Sequence, residues 1–384
     1  MKFDFVVLGA TGMQGKIVSR DLLERGYSVL MCGRDKSRIV HLLKRYMKTR
    51  FEYVDLTDIN NAIRVIKKSG ARVAINCAEG NYDLNSLLAC IKAKVHSIDL
   101  GSDIPMTKQQ MALDKTLKKA KLTHITGCGS VPGIGNVMLN YADGKFDKID
   151  TVEVGFAWDS NIKKFVVPFS MESILEEFTM YAPYMHNNKT MRIKPTDSIV
   201  RVYHKAIGRE SQFNVGHHPE TYTFYKFCRK KGVKNIEFYA GFPDHSMQVI
   251  QALVDLGFAS NKKVNFKGIK IWPDEFLTEL LKRLKYPKGY TETENLWILI
   301  KGKHKGKSKE ILMECIVPPL KGWEDAGCNI DTGMPASIIA QMILKKIINK
   351  PGSYSPEFVI PPLPFFKELR KRQMKVFENG KVIN

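Results

Sequence analysis

The sequence predicts an α/β fold with a doubly wound parallel sheet, followed by a second α+β domain of largely antiparallel sheet. Three observations carry this prediction. Strand-like and helix-like stretches alternate over residues 3–126, a glycine-rich turn joins the first strand to the first helix, and strand-like runs dominate after a Gly/Pro-rich segment. At 384 residues the chain is long enough for two domains, each with its own core.

The first strand runs directly into a turn with the spacing Gly-x-x-Gly-x-x-Gly. Gly9 permits the tight turn, Gly12 lets the backbone approach phosphates, and Gly15 lets the next helix pack close to the strand. The helix N-terminus adds N–H groups and a positive dipole end. The turn is therefore predicted to hold a dinucleotide in a Rossmann domain. The predicted contacts are Gly9, Ala10, Thr11, Gly12, Met13, Gln14 and Gly15.

Strands and helices alternate through the predicted first domain, which is typical of parallel strands joined by helical crossovers. The predicted strands are 3–8, 28–32, 51–54, 72–76, 95–99 and 122–126. The predicted helices are 13–25, 36–48, 58–69, 84–93 and 107–120. Because the carboxyl ends of parallel strands share one edge, Asn76, Cys77 and Ala78 are expected beside the cofactor, with Asp99 at the same edge.

The end of the second strand indicates which cofactor binds. An acidic side chain there binds a ribose 2′-OH, whereas an arginine binds a 2′-phosphate. Arg34 stands at this point with Arg38 one helical turn later, and Asp35 comes too late for the acidic role. Gly33 is expected to leave room for the phosphate. This predicts NADP(H); the alternative is that Arg34 and Asp35 are turn and capping residues and that NAD binds equally well.

The pattern changes at residues 127–136, where a Gly/Pro-rich segment leads into a helix at about 134–143. Later strands are predicted at 149–158, 199–206, 235–241, 264–270, 296–302 and 310–317, with helices at 171–181, 245–257 and 273–285. Pro335 predicts a helix start, because proline favours the first helical turn. The basic amphipathic stretch 365–372 is expected to be a surface helix.

These changes of pattern predict three regions along the chain. Residues 1–130 would form the dinucleotide-binding domain, and residues 131–325 an α+β domain for substrate binding or dimerisation. Residues 326–384 would form a C-terminal helix and tail that return to the nucleotide domain. A homodimer is expected. An antiparallel sheet of this kind commonly covers a site or forms a dimer face, and composition does not choose between the two.

Composition excludes several classes of protein. The net charge of +21 could attract nucleic acid, but aromatic residues are not interleaved with the basic runs, so no nucleic-acid partner is expected. Seven scattered cysteines without a Cys-x-x-Cys pair indicate reduced thiols in the cytoplasm and no metal site. The sequence lacks an apolar run near 18 residues and begins with a core strand, so neither a membrane partner nor a signal peptide is expected.

Five further segments follow the glycine turn in a characteristic order. They are residues 96–101 (HSIDLG), 129–134 (GSVPGI), 169–179 (FSMESILEEFT), 332–335 (TGMP) and 352–357 (GSYSPE). Together they resemble the saccharopine dehydrogenase-like family over most of the chain. The resemblance implies an NAD(P)-dependent oxidoreductase acting on a C–N bond of a small amino-acid or polyamine derivative, such as lysine or saccharopine.

One position departs from the family pattern. Family members that handle saccharopine or carboxynorspermidine usually have an aspartate where this chain has Val131. A valine cannot pair with a substrate ammonium, so the polar end of the substrate would be held differently or be absent. Lysine 6-dehydrogenase also has a small apolar residue there, which favours a lysine-like amine. That enzyme resembles an NAD user, whereas Arg34 favours NADP.

Three residues are candidates for proton transfer or amine orientation. Asp99 could orient an amine at the end of its strand; the alternative is that it caps the loop before Gly101. His217 and Glu220 could supply an acid and base in the loop Gly-His-His-Pro-Glu. The alternative is a loop of exposed histidines, and a zinc site is not indicated because a third ligand at suitable spacing is lacking.

Two further residues are candidates for substrate contacts. The family resemblance implies a contact from Glu177, while Glu172 and Glu176 share a solvated helix face. Arg201, or Arg209, could bind a substrate carboxylate through two hydrogen bonds. The leading hypothesis is therefore an NADP(H)-dependent amine or amino-acid dehydrogenase, and the alternative is a non-catalytic NADP(H)-binding sensor or scaffold protein.

Overall fold

The computed structural model describes residues 2–101, 103–216 and 218–384, and the chain divides into two compact units. The first unit comprises Met1–Gly144, Ile330–Val376 and Val382–Asn384. The second unit comprises Lys145–Asn329 and Phe377–Lys381. None of the helices in the described ranges is long and apolar enough to cross a membrane.

The first stretch of the first unit alternates strands with helices. Its elements are β1 (Phe5–Leu8), α1 (Met13–Glu24), β2 (Val29–Gly33), α2 (Val40–Arg45), β3 (Thr49–Tyr53), α3 (Ile59–Ser69), β4 (Val73–Asn76), α4 (Asp83–Ala93), β5 (His96–Asp99), α5 (Ile104–Ala112), α6 (Asp114–Ala120), β6 (Thr123–Ile125) and α7 (Ile134–Asp143). The helix predicted over 36–48 is divided into a 3-10 turn at Lys36–Ile39 and α2, and the one over 107–120 is interrupted at Leu113.

The second unit follows. Its elements are β7 (Lys148–Ser160), α8 (Met171–Thr179), β8 (Ala182–His186), β9 (Lys189–Ile193), β10 (Val200–His204), β11 (Gly208–Asn214), α9 (Glu220–Cys228), β12 (Asn235–Phe242), α10 (Asp244–Asp255), β13 (Val264–Phe266), β14 (Ile269–Ile271), α11 (Pro273–Leu281), β15 (Glu292–His304) and β16 (Lys307–Val317). The strand predicted over 264–270 is instead the hairpin β13–β14, because Lys267 and Gly268 adopt positive φ and reverse the chain.

The chain ends with α12 (Ile330–Leu344), β17 (Gly352–Tyr354), α13 (Pro362–Arg370), β18 (Lys375–Glu378) and β19 (Lys381–Val382). Pro335 lies inside α12, so the prediction that it begins a helix was wrong; the helix begins five residues earlier. Phe365, Phe366 and Leu369 are buried, so α13 is not a plain surface helix. Its apolar face packs on α7 and α12.

The first unit is built on a parallel sheet with the strand order β17-β6-β5-β4-β1-β2-β3, seven strands in the part of the chain that is described. Every residue of the central strands β1 and β4 is buried, which explains their continuous apolar sequences. The predicted doubly wound α/β architecture is confirmed. The seventh strand, β17, was not predicted, because a three-residue Gly-Ser-Tyr stretch carries no apolar pattern.

The second unit is built on a mixed, largely antiparallel sheet, as predicted. Its order is β10-β11-β12-β7-β15-β16-β18-β19, with β8 also on β12 and β9 on β8. β7 pairs in parallel with β12 and antiparallel with β15. Val152, Val154 and Phe156 of β7 are buried, whereas Thr151 and Glu153, at the alternate positions, are half-buried. The alternation is limited to the first half of β7, because residues 154–158 are all buried and the strand is therefore covered on both faces there.

α12 packs tightly on α1, the helix that follows the glycine turn. A Cβ at Gly333 would lie 2.5 Å from the Ile17 side chain, so the two helices approach at a position where only glycine fits. Buried beside this contact, Arg372 donates to both oxygens of Asp21, at 3.0 and 2.6 Å. Ser337 of α12 donates to the same carboxylate at 2.6 Å. The ion pair therefore ties α1, α12 and the segment after α13 together.

We predict that Asp21→Asn destabilises the protein by about 3 kcal/mol, because it leaves the buried Arg372 guanidinium with only the longer ion pair to Glu368, at 3.4 Å. The matched control is Arg25→Gln, which removes the more exposed partner of the same carboxylate, 3.4 Å away. That control should cost under about 1 kcal/mol. The measurement is the free energy of unfolding from urea denaturation. Equal costs for the two variants would contradict a dependence on the buried pair.

Candidate functional site

The glycine turn between β1 and α1 is held by contacts that admit no side chain. Gly9 has φ +72°, and a Cβ there would lie 2.5 Å from the backbone nitrogen of Ala78. A Cβ at Gly15 would overlap the carbonyl oxygen of Gly9. Gly12 is the N-cap residue of α1 and provides no side-chain hydrogen bond, so no capping side chain occupies the first N–H groups of the helix. The structure thus has the close-approach geometry that a bound pyrophosphate requires.

Thr11 packs against the end of β2. A Cβ at Gly33 would lie 2.7 Å from the Thr11 methyl group, so the space beside Gly33 holds this side chain. The expectation that Gly33 leaves room for a phosphate is therefore replaced by a packing role. The backbone nitrogen of Ala10 donates to the Cys32 carbonyl at 2.8 Å and fixes the turn to β2.

Arg34 and Asp35 differ in the hydrogen bonds that their side chains form within the protein. Asp35 accepts hydrogen bonds from the backbone and hydroxyl of Ser37, at 2.9 and 2.6 Å, and caps the 3-10 turn. These hydrogen bonds lower the pKa of Asp35. Arg34 is exposed just beyond β2, near Asp55. Asp35 therefore has the capping role that the sequence left open, and the guanidinium of Arg34 is accessible.

The chain leaving β4 lies against the glycine turn. The backbone nitrogen of Cys77 donates to the Leu8 carbonyl at 2.9 Å, and Ala78 approaches Gly9 as described above. Asn76 is buried and donates to Asp83 at 2.7 Å. Burial raises the pKa of the Asp83 carboxyl well above its usual value, and burial also raises the pKa of the Cys77 thiol.

Asp99 is buried at the end of β5, where its carboxylate holds two glycine turns. One oxygen accepts from the backbone nitrogens of Gly101 and Gly127, both at 3.0 Å. The other accepts from Gln110 at 2.5 Å and lies 3.4 Å from His124 Nε2. The loop-capping contact considered from the sequence is thus present, and three donors already use the two oxygens of the carboxylate.

Gln110 and His124 extend this buried network, and sequence reasoning missed both. Gln110 accepts from Thr126 at 2.9 Å, and His124 Nδ1 lies 2.9 Å from the Ser97 hydroxyl. Burial lowers the pKa of His124. The available signal was a histidine inside a short buried strand beside Asp99; Gln110 sits on a helix and offers no such signal.

The Gly/Pro-rich segment before α7 is a compact elbow. A Cβ at Gly133 would overlap the Gly129 carbonyl, which accepts from the Ile134 nitrogen at 3.1 Å. Asn136 accepts from the Gly133 nitrogen at 2.8 Å and donates to the buried Glu357 at 2.9 Å. Val131 in this elbow is buried.

In the second unit, Glu177 is buried on α8 and one of its carboxyl oxygens has no hydrogen-bond partner among the described residues. Burial, reinforced by the neighbouring Glu176, raises the pKa of Glu177 to about 8. Its carboxyl is therefore mostly protonated at neutral pH, unlike an ordinary surface glutamate. The structure places no basic partner beside it within the described ranges.

Glu220 is the first residue of α9, so the prediction that it lies in a loop was wrong. Its side chain is fully buried, and its Oε2 lies 3.7 Å from His218 Nδ1. The His218 ring stacks on Phe238 with 3.7 Å between centroids. His217 lies outside the described residues.

Arg201 and Asp244 form an exposed ion pair at 2.7 Å, and Ser211 donates to the same carboxylate at 3.0 Å. The guanidinium predicted to bind a substrate carboxylate therefore has an internal partner. Nearby, Glu210 is buried, and burial together with Asp159 raises its pKa to about 8. Sequence reasoning missed Glu210, whose only signal is an acidic residue in a strand.

Metal-ligating side chains do not gather into a site: the described ranges contain no group of three or more His, Cys, Asp or Glu side chains able to hold an ion. Each cysteine in the structure is a free thiol.

Comparison with known proteins agrees with this geometry. The family described as saccharopine dehydrogenase NADP binding domain matches residues 5–125, and the saccharopine dehydrogenase C-terminal domain matches residues 117–374. Carboxynorspermidine synthase of Vibrio alginolyticus is 24% identical over 336 residues, 82% of this chain and 79% of that protein. Carboxyaminopropylagmatine dehydrogenase of Synechocystis is 22% identical over 380 residues, 95% of this chain and 94% of that protein.

Among solved structures, apo saccharopine dehydrogenase (L-Glu forming) from Saccharomyces cerevisiae superposes with a TM-score of 0.78, covering 100% of both chains at 14% identity. That likeness shows the fold. The family matches cover both units and include the glycine turn. The chain therefore belongs to the saccharopine dehydrogenase-like family of NAD(P)-binding oxidoreductases.

Proposed function

We propose that this protein is an NADP(H)-dependent dehydrogenase or reductase acting on a C–N bond of an amino-acid or polyamine derivative. The observation that carries the proposal is the glycine turn, where Gly9 and Gly15 touch backbone in a way that excludes any side chain. The names of the two relatives, which both denote carboxylated amines, support an amine substrate. When bound, the nicotinamide cofactor supplies or accepts the hydride.

In the oxidative direction, hydride leaves the carbon that bears nitrogen, and the resulting imine is hydrolysed to a carbonyl compound and an amine. The protein must therefore hold the substrate, orient it and move protons on nitrogen and on water. The turn residues and the Cys77–Ala78 backbone would hold the cofactor. Asp99, Glu220 and His217 remain the candidates for proton transfer or amine orientation, with Glu177 and Arg201 as candidate substrate contacts.

The choice of NADP over NAD depends on which side chain at the end of β2 is available. The Oδ1 atom of Asp35 already accepts two hydrogen bonds from Ser37, in the capping role. Arg34 is exposed and can form charge-assisted hydrogen bonds with a 2′-phosphate. These contacts support NADP(H). The homodimer and the cytoplasmic location remain predictions from the sequence.

We predict that Arg34→Ala raises the Kd for NADPH about 10- to 100-fold and leaves the Kd for NADH nearly unchanged, because it removes a charge-assisted hydrogen bond to the 2′-phosphate alone. Arg45→Ala, an exposed arginine on α2, is the control and should change neither value. Both constants can be measured by fluorescence titration of the reduced cofactors. Equal weakening of NADPH and NADH would contradict the assigned role.

Glu177 offers a proton near neutral pH. Burial raises the pKa of its carboxyl to about 8, close to the operating range of a general acid or base, and one carboxyl oxygen has no hydrogen-bond partner among the described residues. Asp99 differs, because its oxygens are used by Gly101, Gly127 and Gln110. The geometry therefore supports Glu177 for proton transfer, and it supports Asp99 as a residue that positions the two glycine turns.

The raised pKa of Glu177 also predicts a pH dependence of stability. The unfolded carboxyl titrates near 4.5 and the folded one near 8, so the folded state retains a proton that the unfolded state releases. This contribution to stability is complete below about pH 4.5 and is lost as pH rises through 8. Glu177→Gln should reduce the fall in unfolding free energy between these limits by on the order of 2–4 kcal/mol.

Urea denaturation of wild type and variant at several pH values measures this effect. Glu172→Gln, at an exposed position on the same helix, is the control and should leave the pH dependence unchanged. A remaining slope is expected from Glu210, whose pKa is raised in the same direction. An identical slope in Glu177→Gln and wild type would show that Glu177 titrates as an ordinary carboxyl.

The enzymatic proposal is tested by absorbance at about 340 nm, where reduced nicotinamide absorbs. The protein is incubated with NADP⁺ or NAD⁺ and with lysine, saccharopine, carboxynorspermidine or related diamines, and then with NADPH and amine–aldehyde pairs. We expect turnover with one amine and a preference for the phosphorylated cofactor. Tight NADPH binding with a flat trace throughout would favour the non-catalytic sensor or scaffold protein instead.

A further inference from the structure

A hairpin in the second unit has an apolar face that the other described residues leave open. β13 and β14 pair with each other and with no other described strand, in the register Val264↔Ile271 and Phe266↔Ile269. Because side chains alternate across a strand, these four residues share one face. Phe266 is 58% exposed and Ile269 is 65% exposed. Large apolar side chains therefore remain exposed at the tip of this hairpin, and exposed apolar patches of this kind mark interaction sites.

α11 continues this surface directly after the hairpin. Phe276 and Leu280 lie one helical turn apart and are 50% and 45% exposed. Leu277, on the adjacent face, is buried, and the helix packs against α8. The helix is therefore anchored by one face and presents a second apolar stripe to solvent.

Basic side chains flank the hairpin and follow α11, whereas the three acidic side chains of this segment, Asp274, Glu275 and Glu279, lie on α11 itself. Residues 262–288 contain eight basic and three acidic side chains, a net charge of +5. The Lys267 ammonium lies 5.5 Å from the centre of the Phe266 ring, and the Lys263 ammonium 4.8 Å from that of Trp272. The partner of this surface must therefore accommodate exposed hydrocarbon together with a net positive charge.

We propose that the surface formed by β13, β14 and α11 docks on an anionic lipid bilayer. Hydrocarbon at the tip would enter the boundary between headgroups and acyl chains, and the lysines would meet lipid phosphates. A second copy of this chain is disfavoured, because two patches of the same positive charge would repel. Nucleic acid is disfavoured, because the exposed rings of Phe266 and Phe276 are accompanied by exposed aliphatic side chains, which cannot stack on bases. The expectation of no membrane partner was based on the lack of a membrane-spanning apolar run, and docking on a bilayer surface needs no such run.

A second hairpin in the same chain provides a matched control. The turn between β15 and β16 has Lys305 and Gly306 at φ +50° and +76°, close to the +50° and +84° of Lys267 and Gly268. His304 and Lys307 flank that turn in place of the apolar pair at the tip of β13–β14. The two hairpins thus have the same Lys-Gly turn conformation and similar positive charge, but only β13–β14 has apolar side chains beside the turn.

The test is co-sedimentation of the full chain with vesicles of phosphatidylcholine, alone or with a third phosphatidylglycerol. We expect binding to the anionic vesicles that weakens with salt, and little binding to the neutral ones. Phe266→Ser/Ile269→Ser should weaken binding at least about 10-fold, because it removes the inserted hydrocarbon. Lys267→Gln/Lys270→Gln should weaken it about 30-fold. Lys305→Gln/Lys307→Gln should change it less than about 3-fold.

Three results would overturn the proposal. The first is no binding of wild type to anionic vesicles at low salt. The second is an equal loss from the Lys305→Gln/Lys307→Gln control, which would indicate attraction by net charge alone. The third is a fall in solution mass from dimer to monomer in Phe266→Ser/Ile269→Ser, measured by light scattering, which would make the surface an interface between copies. An unchanged far-ultraviolet circular dichroism spectrum and an unchanged urea midpoint in every variant confirm that the fold is intact.

Discussion

The constraint on which the first unit depends is the absence of side chains where three backbone segments meet. The end of β1, the start of α1 and the chain leaving β4 come so close that a Cβ at Gly9 would lie 2.5 Å from the Ala78 nitrogen. Because these contacts join backbone to backbone, their geometry does not vary with rotamers. The approach of the first helical turn to a ligand is therefore set by the sheet, and the buried ion pair of Asp21 with Arg372 holds the far end of the same helix.

Asp99 shows how a carboxylate can serve a site without facing a substrate. Its two oxygens accept from Gly101, Gly127 and Gln110, and its carbonyl accepts from the Cys128 nitrogen at 2.9 Å. The turns after β5 and β6 thus depend on one buried carboxyl group and on the hydrogen bonds that it accepts. Glu177 contrasts with Asp99: one of its oxygens has no hydrogen-bond partner in the described ranges, and burial, reinforced by the neighbouring Glu176, raises its pKa to about 8.

Sequence alone predicted the parallel sheet, the glycine turn and the mixed second sheet, because each depends on local periodicity or on fixed glycine spacing. It failed where tertiary contacts decide. Pro335 sits inside a helix because burial against α1 extends α12 beyond its local start signal, and β17 forms because β6 offers a parallel edge to a stretch without strand character. Glu220 looked like a loop residue because the turn residues before it mask the start of α9. The occupied carboxylate of Asp99 could not be foreseen, since Gln110 lies on another element.

The two hairpins with Lys-Gly turns show that positive charge and exposed apolar side chains occur independently in this strongly basic chain. If the net charge of +21 served only to attract anions, both turns would be expected to carry polar flanks, as the β15–β16 turn does. The β13–β14 tip instead exposes Phe266 and Ile269. Exposed hydrocarbon of this size has a free-energy cost in water of roughly 25 cal/mol per Å². The hairpin pairs with no other described strand, so its exposed hydrocarbon is best explained by a partner surface that buries it. The neighbouring lysines require that this partner surface be negatively charged.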